Sequence, residues 1–199
     1  IGTTTVVAYL IDGKNGQLLG MKSMLNPQRK FGADVVSRCS HAMENGKETL
    51  SEPIRSAVNT LMAELSEECG EQKNNIVRIT IVGNTGMHHL FLELPTEKLV
   101  LAPYVPYQKE ASVRKASDYQ IDIHPDGEVA WLPNIGGFVG ADTVGCLVAT
   151  NMGEQEPMTL MVDIGTNGEM VLGNKNGMMA CSTAAGPAFE GAKITCGMR

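Results

Sequence analysis

The chain has 199 residues, 43% apolar and 19% charged, with a formal net charge of −6, the balance of a globular protein with an ordinary core. That acidity, with no basic stretch denser than Arg114-Lys115, argues against a nucleic-acid surface or an anionic-membrane partner. No apolar run approaches the roughly 18 residues that span a bilayer, and no signal peptide is visible at the start.

Thr3 to Leu10 is rich in β-branched residues and reads as a strand. Asp12-Gly13 and Asn15-Gly16 are turn dipeptides, so a hairpin continues into a second strand over Gln17–Leu25, which Asn26-Pro27 breaks. Ala33 to Asn45 carries Val35, Val36, Cys39 and Met43 at helical spacing, with Gly46 placed to end it. The strongest helix is Ser51–Cys69, where Ile54, Ala57, Val58, Leu61, Met62 and Leu65 repeat at i, i+3, i+4, i+7, i+8 and i+11. Pro53 belongs to its first turn and Gly70 lies just past its end.

Ile76–Val82 reads as a short buried strand, running into Gly83-Asn84-Thr85-Gly86 and a short helix with His88-His89. Residues 93–120, punctuated by Pro95, Pro103 and Pro106, are expected as an irregular inserted or edge segment. Glu128–Leu132 is another strand, and the glycine-rich stretch after it opens a helix near Asp142. Thr159–Asp163 is the next strand. Glu169–Leu172 and Gly177–Ser182 form a hairpin around Asn174–Gly177, and Pro187 starts a final helix. The order strand–strand–strand–helices–strand–helix–strand–helix, then strand–strand–strand–helix, is mixed α/β. The restart at Thr159 suggests a second, homologous half.

The five cysteines are Cys39, Cys69, Cys146, Cys181 and Cys196. An odd number, widely spaced and without a Cys-x-x-Cys pair, argues against a disulfide framework, zinc site or iron–sulfur cluster within the chain. Scattered thiols fit a reducing cytoplasm. The twelve methionines are expected as core filler.

One phrase is written twice. "IGTTTVVAYLIDGKNG" opens the chain, and "DIGTNGEMVLGNKNG" covers Asp163 to Gly177. Each is an apolar strand edge at Gly-Thr followed by a turn and a second strand. Glycine lets backbone N–H groups approach an anion closely, and threonine hydroxyls add donors. Two such turns across a cleft would clamp a polyphosphate through Gly2, Thr3, Thr4 and Thr5 on one side and Gly165, Thr166, Asn167 and Gly168 on the other. Strand alternation would point only one of Thr4 and Thr5 at that cleft. Asp163, at the strand's end, suits the water shell of Mg²⁺. Asp142 is explained either by helix N-cap chemistry or by a carboxylate that orients or deprotonates a nucleophile. The two readings are compatible. His88 and His89 are expected in the core with one backbone hydrogen bond, because adjacent helical residues point about 100° apart and cannot easily share one ion. Arg29 and Lys30 lie in a loop that either reaches a phosphate or partner or is simply solvated.

The order Gly-Thr hairpin, Gly-Ala-Asp helix, Asp-x-Gly-Thr hairpin resembles that of the superfamily of acetate and sugar kinases, heat-shock chaperones and actin. "DTVGC" also resembles the hexokinase segment bearing the catalytic Asp. More closely, "NPQRKFGADVVSR", "GNTGMHHLFL", "LPNIGGFVGADTVG", "DIGTNGEMVLGN" and "STAAGPAFEGAKITCGMR" resemble the reductive activators of corrinoid proteins, a ferredoxin-like iron–sulfur family.

That resemblance implies a ribonuclease-H-like actin/sugar-kinase fold with the first half complete and the second truncated. Residues 1–155 would form the first subdomain, with its connecting helix and the insertion near 93–120, and 156–199 the start of the second. It implies a cytoplasmic protein of an anaerobic microbe that binds ATP/ADP and Mg²⁺, with a [2Fe-2S] cluster in a domain outside this chain. ATP would drive one-electron reduction of the corrinoid of a methyl-carrier protein, Asp142 being the catalytic residue. A homodimer is compatible with this; nucleic acid and membrane are not expected as partners. The family's first phosphate loop begins with an Asp ahead of Ile1, and its adenosine-holding glycine-rich segment lies beyond Arg199. The chain alone is therefore expected to bind nucleotide weakly or not at all. The alternatives are a small-molecule kinase with a sugar-like acceptor beside Asp142, or a docking module that no longer hydrolyses nucleotide.

Overall fold

The structure is a computed structural model and describes residues 1–184. Its secondary structure is mixed α/β, with the described strands in three sheets. β1 (Thr5–Ile11) and β2 (Leu18–Leu25) form an antiparallel hairpin. No third strand follows at the head of the chain: Asn26 accepts from the Gln28 amide and caps a 3-10 turn over Pro27–Phe31. The expected final helix from Pro187 lies outside the described residues.

α1 (Val35–Asn45) begins at Asp34, whose carboxylate accepts from the Ser37 amide in a reciprocal capping box, and ends at Gly46. α2 (Glu48–Cys69) is the longest element, closed by Gly70 in the left-handed region at φ 68°. It starts three residues before the predicted Ser51, so Pro53 stands inside the helix rather than in its first turn. Leu50 explains the extension: it is buried in a cluster with Cys39, Ala42, Met87 and Leu90, which rewards winding the helix further back.

α2 lays Ile54, Val58, Leu61 and Leu65 onto the inner face of the hairpin, against Val6 and the partly buried Ala8, Leu10 and Met24. Full burial of such side chains contributes roughly 1.5–3 kcal/mol each. β3 (Arg78–Ile81) pairs in parallel with β5 (Glu128–Trp131), which pairs antiparallel with the edge strand β4 (Ser112–Lys115). β4 lies inside the segment expected to be irregular; its four residues, mostly exposed and two of them charged, carry no apolar alternation to announce it. α3 (Thr85–Leu92) follows β3, and α4 (Ala141–Ala149) follows β5. β6 (Thr159–Ile164), β7 (Asn167–Asn174) and β8 (Gly177–Ala184) make an antiparallel meander.

Methionine is divided between core and surface. Met62, Met87 and Met152 are buried, whereas Met21, Met43, Met158, Met178 and Met179 are exposed, so core filling accounts for only some of them. The outer faces of two sheets remain apolar and exposed, with Tyr9, Ile11 and Met21 on one, and Leu160, Val162 and Ile164 on the other.

His88 and His89 are fully buried on α3. His89 Nδ1 donates to the Thr85 carbonyl at 2.8 Å while its Nε2 accepts from the Tyr107 amide at 3.0 Å. Both rings are in the core, as the sequence suggested, and the His88 ring packs edge-on to Trp131 at 5.1 Å between centroids. Burial pushes both imidazoles down to about 4, with the His89 neighbour adding to the effect on His88. The folded value lies below the unfolded value of about 6.5. The stabilisation is therefore fully present above about pH 6.5 and is lost as pH falls from there toward 4. Urea unfolding of the full-length protein should show stability falling across this window by on the order of 3 kcal/mol for each histidine. Replacing His89 by Gln should flatten that dependence; an unchanged slope would show that the ring is not held neutral.

Candidate functional site

A cleft of about 370 Å³ is lined by Gly2, Thr3, Thr4, Thr5 and Asn84 on one side and by Asp163, Gly165, Thr166, Asn167 and Glu169 on the other, with Asp142 between. The two copies of the repeated phrase thus face one space. Gly168 alone of the expected residues is set back, buried in β7 opposite Ile164.

Both turns are closed by their glycine amide, over three residues in the first and two in the second. The Gly2 amide donates to the Thr5 carbonyl at 2.9 Å, and the Gly165 amide to the Asn167 carbonyl at 2.9 Å. Both glycine amides are therefore occupied within their own turns. Exposed Thr4, Thr5 and Thr166 leave groups free for a ligand. All four residues from Gly2 to Thr5 line the cleft. β1 begins only at Thr5, so strand alternation does not govern the residues before it.

The first turn is anchored from behind. Asn26 donates to the Gly2 carbonyl at 2.8 Å, and the Asn84 amide donates to the Thr3 hydroxyl at 2.9 Å. Asn84 also caps α3 by accepting from the Met87 amide at 3.0 Å. It lines the cleft although the sequence marked it only as part of a turn. The available signal was an Asn at a strand-to-helix junction, the position of an N-cap.

α4 starts against that same junction. The Asp142 amide donates to the Gly83 carbonyl at 3.2 Å. A Cβ on Gly140 would sit 2.5 Å from the Asn84 Cα and 2.7 Å from both the Gly83 carbonyl oxygen and the Thr85 nitrogen, so only glycine allows this approach. The N-cap is Gly140, and Asp142 is inside the first turn. Its Oδ1 accepts from the Thr143 amide at 2.9 Å. The N-cap assignment is thereby corrected, while the carboxylate does face the cleft.

Glu169 was not singled out in the sequence. It stands directly opposite Asp163 across the β6–β7 ladder, so both carboxylates project from one face of the sheet. In β7 it takes a buried position two residues before the buried Val171; a glutamate in phase with inward apolar residues was the available signal. The Ser182 hydroxyl donates to its Oε1 at 3.0 Å.

Burial raises the Asp142 carboxyl above its usual range, and the Asp163 charge adds to this against the opposing Thr143 bond. Burial likewise raises Glu169, with Asp142 and Asp163 contributing against the Ser182 bond. Three carboxylates therefore share one cleft whose lining contains no Lys or Arg. Among the described residues no three His, Cys, Asp or Glu side chains converge closely enough to hold a metal directly. An oxygen-only set with this charge suits a hard, hydrated divalent cation accompanying an anion.

Arg29 and Lys30 are exposed and absent from the cleft lining, Lys30 lying over the Phe31 ring. Cys39, Cys69, Cys146 and Cys181 are free thiols, Cys39 being pushed up to about 12 by burial. No helix among the described residues is long and apolar enough to cross a membrane.

Comparison with known proteins gives two family matches, two relatives and one solved structure. The family described as the RACo middle region matches residues 1–155, and that described as the C-terminal domain of RACo, the ASKHA domain, matches residues 157–199. The chain is 43% identical over 202 residues to the corrinoid activation enzyme RamQ of Eubacterium limosum, covering 100% of this chain and 34% of that protein. It is 25% identical over 208 residues to the Co(II) methylated amine-specific corrinoid protein reductase of Methanosarcina barkeri, covering 100% of this chain and 37% of that protein. A solved structure titled reductive activator for corrinoid, iron-sulfur protein superposes with a TM-score of 0.91 at 42% identity, over 100% of this chain and 32% of that one. The chain thus spans about a third of the length of the relatives it matches.

The contact at Gly140 generates a specific expectation. Gly140→Ala forces the start of α4 away from the Asn84 backbone, an overpacking that costs about 1–3 kcal/mol. Chemical denaturation should report that loss, and an unchanged midpoint would show that the junction has slack.

Proposed function

This chain belongs to the RACo family, and we propose from that premise that it is part of the ATP-binding, actin-like domain of an ATP-dependent reductive activator. Residues 1–155 make the first actin-like subdomain, with 93–120 as its insertion, and 156–199 begin the second, in a ribonuclease-H-like arrangement that the remaining polypeptide completes. The observation that carries this reading is the cleft in which the two Gly-Thr turns face each other around Asp142, Asp163 and Glu169.

On this reading the exposed Thr4, Thr5 and Thr166 donate to phosphate oxygens from opposite sides, with Gly2, Thr3, Gly165 and Asn167 shaping the two turns and Gly168 bracing the second from behind. Asp163 would hold the water shell of Mg²⁺, an ion that would supply charge to offset the phosphates in a cleft lined by three carboxylates. The donor set fits such an ion, being all oxygen and too dispersed for direct coordination. Asp142 orients the attacking water, its Oδ1 being tied to the Thr143 amide and its raised proton affinity matched to accepting a proton late in the attack.

The work done is one-electron reduction of the corrinoid of a partner methyl-carrier protein, the electron coming from a [2Fe-2S] cluster elsewhere in the full-length protein. The names of the relatives support this substrate class. ATP contributes only through different affinities of the ATP and ADP states for the partner. A cytoplasmic site of action suits that chemistry.

Calorimetry of Mg²⁺-ATP with the full-length protein tests the reading. Asp163→Ala should weaken binding at least tenfold, about 1.4 kcal/mol, and hydrolysis should rise when the corrinoid protein is added. No binding by the full-length protein would overturn the reading in favour of a docking module. Phosphorylation of an added alcohol would overturn it in favour of a kinase.

A further inference from the structure

The first turn of α4 lacks a cap of its own. Gly140 has no side chain to offer, and no side-chain cap bond is made there, yet the leading amides of a helix need acceptors from outside it. The Ala141 amide finds one in Asn134, whose Oδ1 lies 3.1 Å away. Asn134 comes from the turn between β5 and α4 and is only 5% exposed. With its oxygen committed to Ala141, its Nδ2 faces His88 Nδ1 at 3.1 Å. An amide nitrogen donates, so His88 Nδ1 accepts and the ring proton sits on Nε2.

The relay is anchored at its far end too. His88 is fully buried on the helix that Asn84 caps, and Asn84 holds Thr3 of the first Gly-Thr turn. The Thr85 hydroxyl donates to the Gly136 carbonyl at 2.6 Å, fixing the loop that carries Asn134. A continuous set of buried bonds therefore runs from α3, through His88 and Asn134, to the residue adjoining Asp142.

We propose that Asn134, oriented by His88, is a positioning residue: it caps α4 from outside the helix and thereby aims the Asp142 carboxylate into the cleft. Neither side chain lines the cleft, so both act through α4. The catalytic part of this inference rests on the role proposed above for Asp142; the capping part does not.

The test uses the full-length protein with Asn134→Leu, His88→Leu, His88→Asn and Asp142→Asn. Hydrogen exchange of the amides of residues 141–143 should quicken at least tenfold in Asn134→Leu and His88→Leu. His88→Asn, which can present an amide oxygen to Asn134, should recover most of the protection. ATP hydrolysis should fall 10- to 100-fold in kcat with nucleotide Kd within threefold of wild type, and Asn134→Leu should add nothing to Asp142→Asn. Unchanged exchange in Asn134→Leu would overturn the cap. A kcat loss that persists undiminished on the Asp142→Asn background would overturn the positioning role. If Asn134→Leu does not fold, the His88→Leu and His88→Asn pair makes the same decision: equal exchange in the two variants sinks the relay. A wild-type protein that hydrolyses no ATP would remove the functional reading, while the exchange result would still decide the cap.

Discussion

The junction between β3 and α3 is where the parts of the cleft are hung. The Ile1 nitrogen donates to the Val82 carbonyl, the Asp142 amide to the Gly83 carbonyl and the Asn84 side chain to Thr3. Gly140 then packs on the backbone of residues 83–85 with no room for a methyl group. Within three residues one strand end fixes the first Gly-Thr turn, the start of α3 and the start of α4. The core behind it, α2 against the β1–β2 hairpin and Trp131 between His88 and Phe91, keeps that strand end in place. A shift at this junction cannot be absorbed by one element alone, because close-packed interiors transmit displacement.

The electrostatics of the cleft oppose the fold. Asp163 and Glu169 are cross-strand partners, and like charges directly opposite each other on a sheet destabilise it. Asp142 adds a third carboxyl, half-buried like that of Asp163, and no basic side chain among the lining residues offsets them. On the proposed reading the divalent cation that accompanies a polyphosphate would offset these carboxylates locally. Binding would then convert repulsion within the second sheet into attraction across the cleft. This gives a physical route by which nucleotide state could bias the relation of the two halves.

Much of this was legible in the sequence, in the places where local chemistry decides. The apolar repeat from Ile54 to Leu65 specified α2 and its buried face, and Gly70 its end. The twice-written Gly-Thr phrase specified two alike turns, and both do close with a glycine amide bonded inside the turn. The start of α2 was misplaced because Leu50 is held by a cluster contributed largely by α1 and α3, which no local window contains. β4 was missed because an edge strand of four residues, two of them charged, carries no apolar alternation when its partner supplies the pairing.

By itself the sequence determined the periods, the glycine ends of α1 and α2, the turn chemistry and the family resemblance, each of which depends on residues within a few positions of one another. Only the tertiary structure decided which side chains converge. It brought Asn84 and Glu169 to the cleft beside Gly2 to Thr5, set Gly168 behind it, and supplied the acceptor for the leading amide of α4 from Asn134 rather than from Asp142. The reason is that convergence is fixed by how elements distant in the chain pack on one another. A pattern with a period of two or 3.6 names the face of an element but not its neighbour.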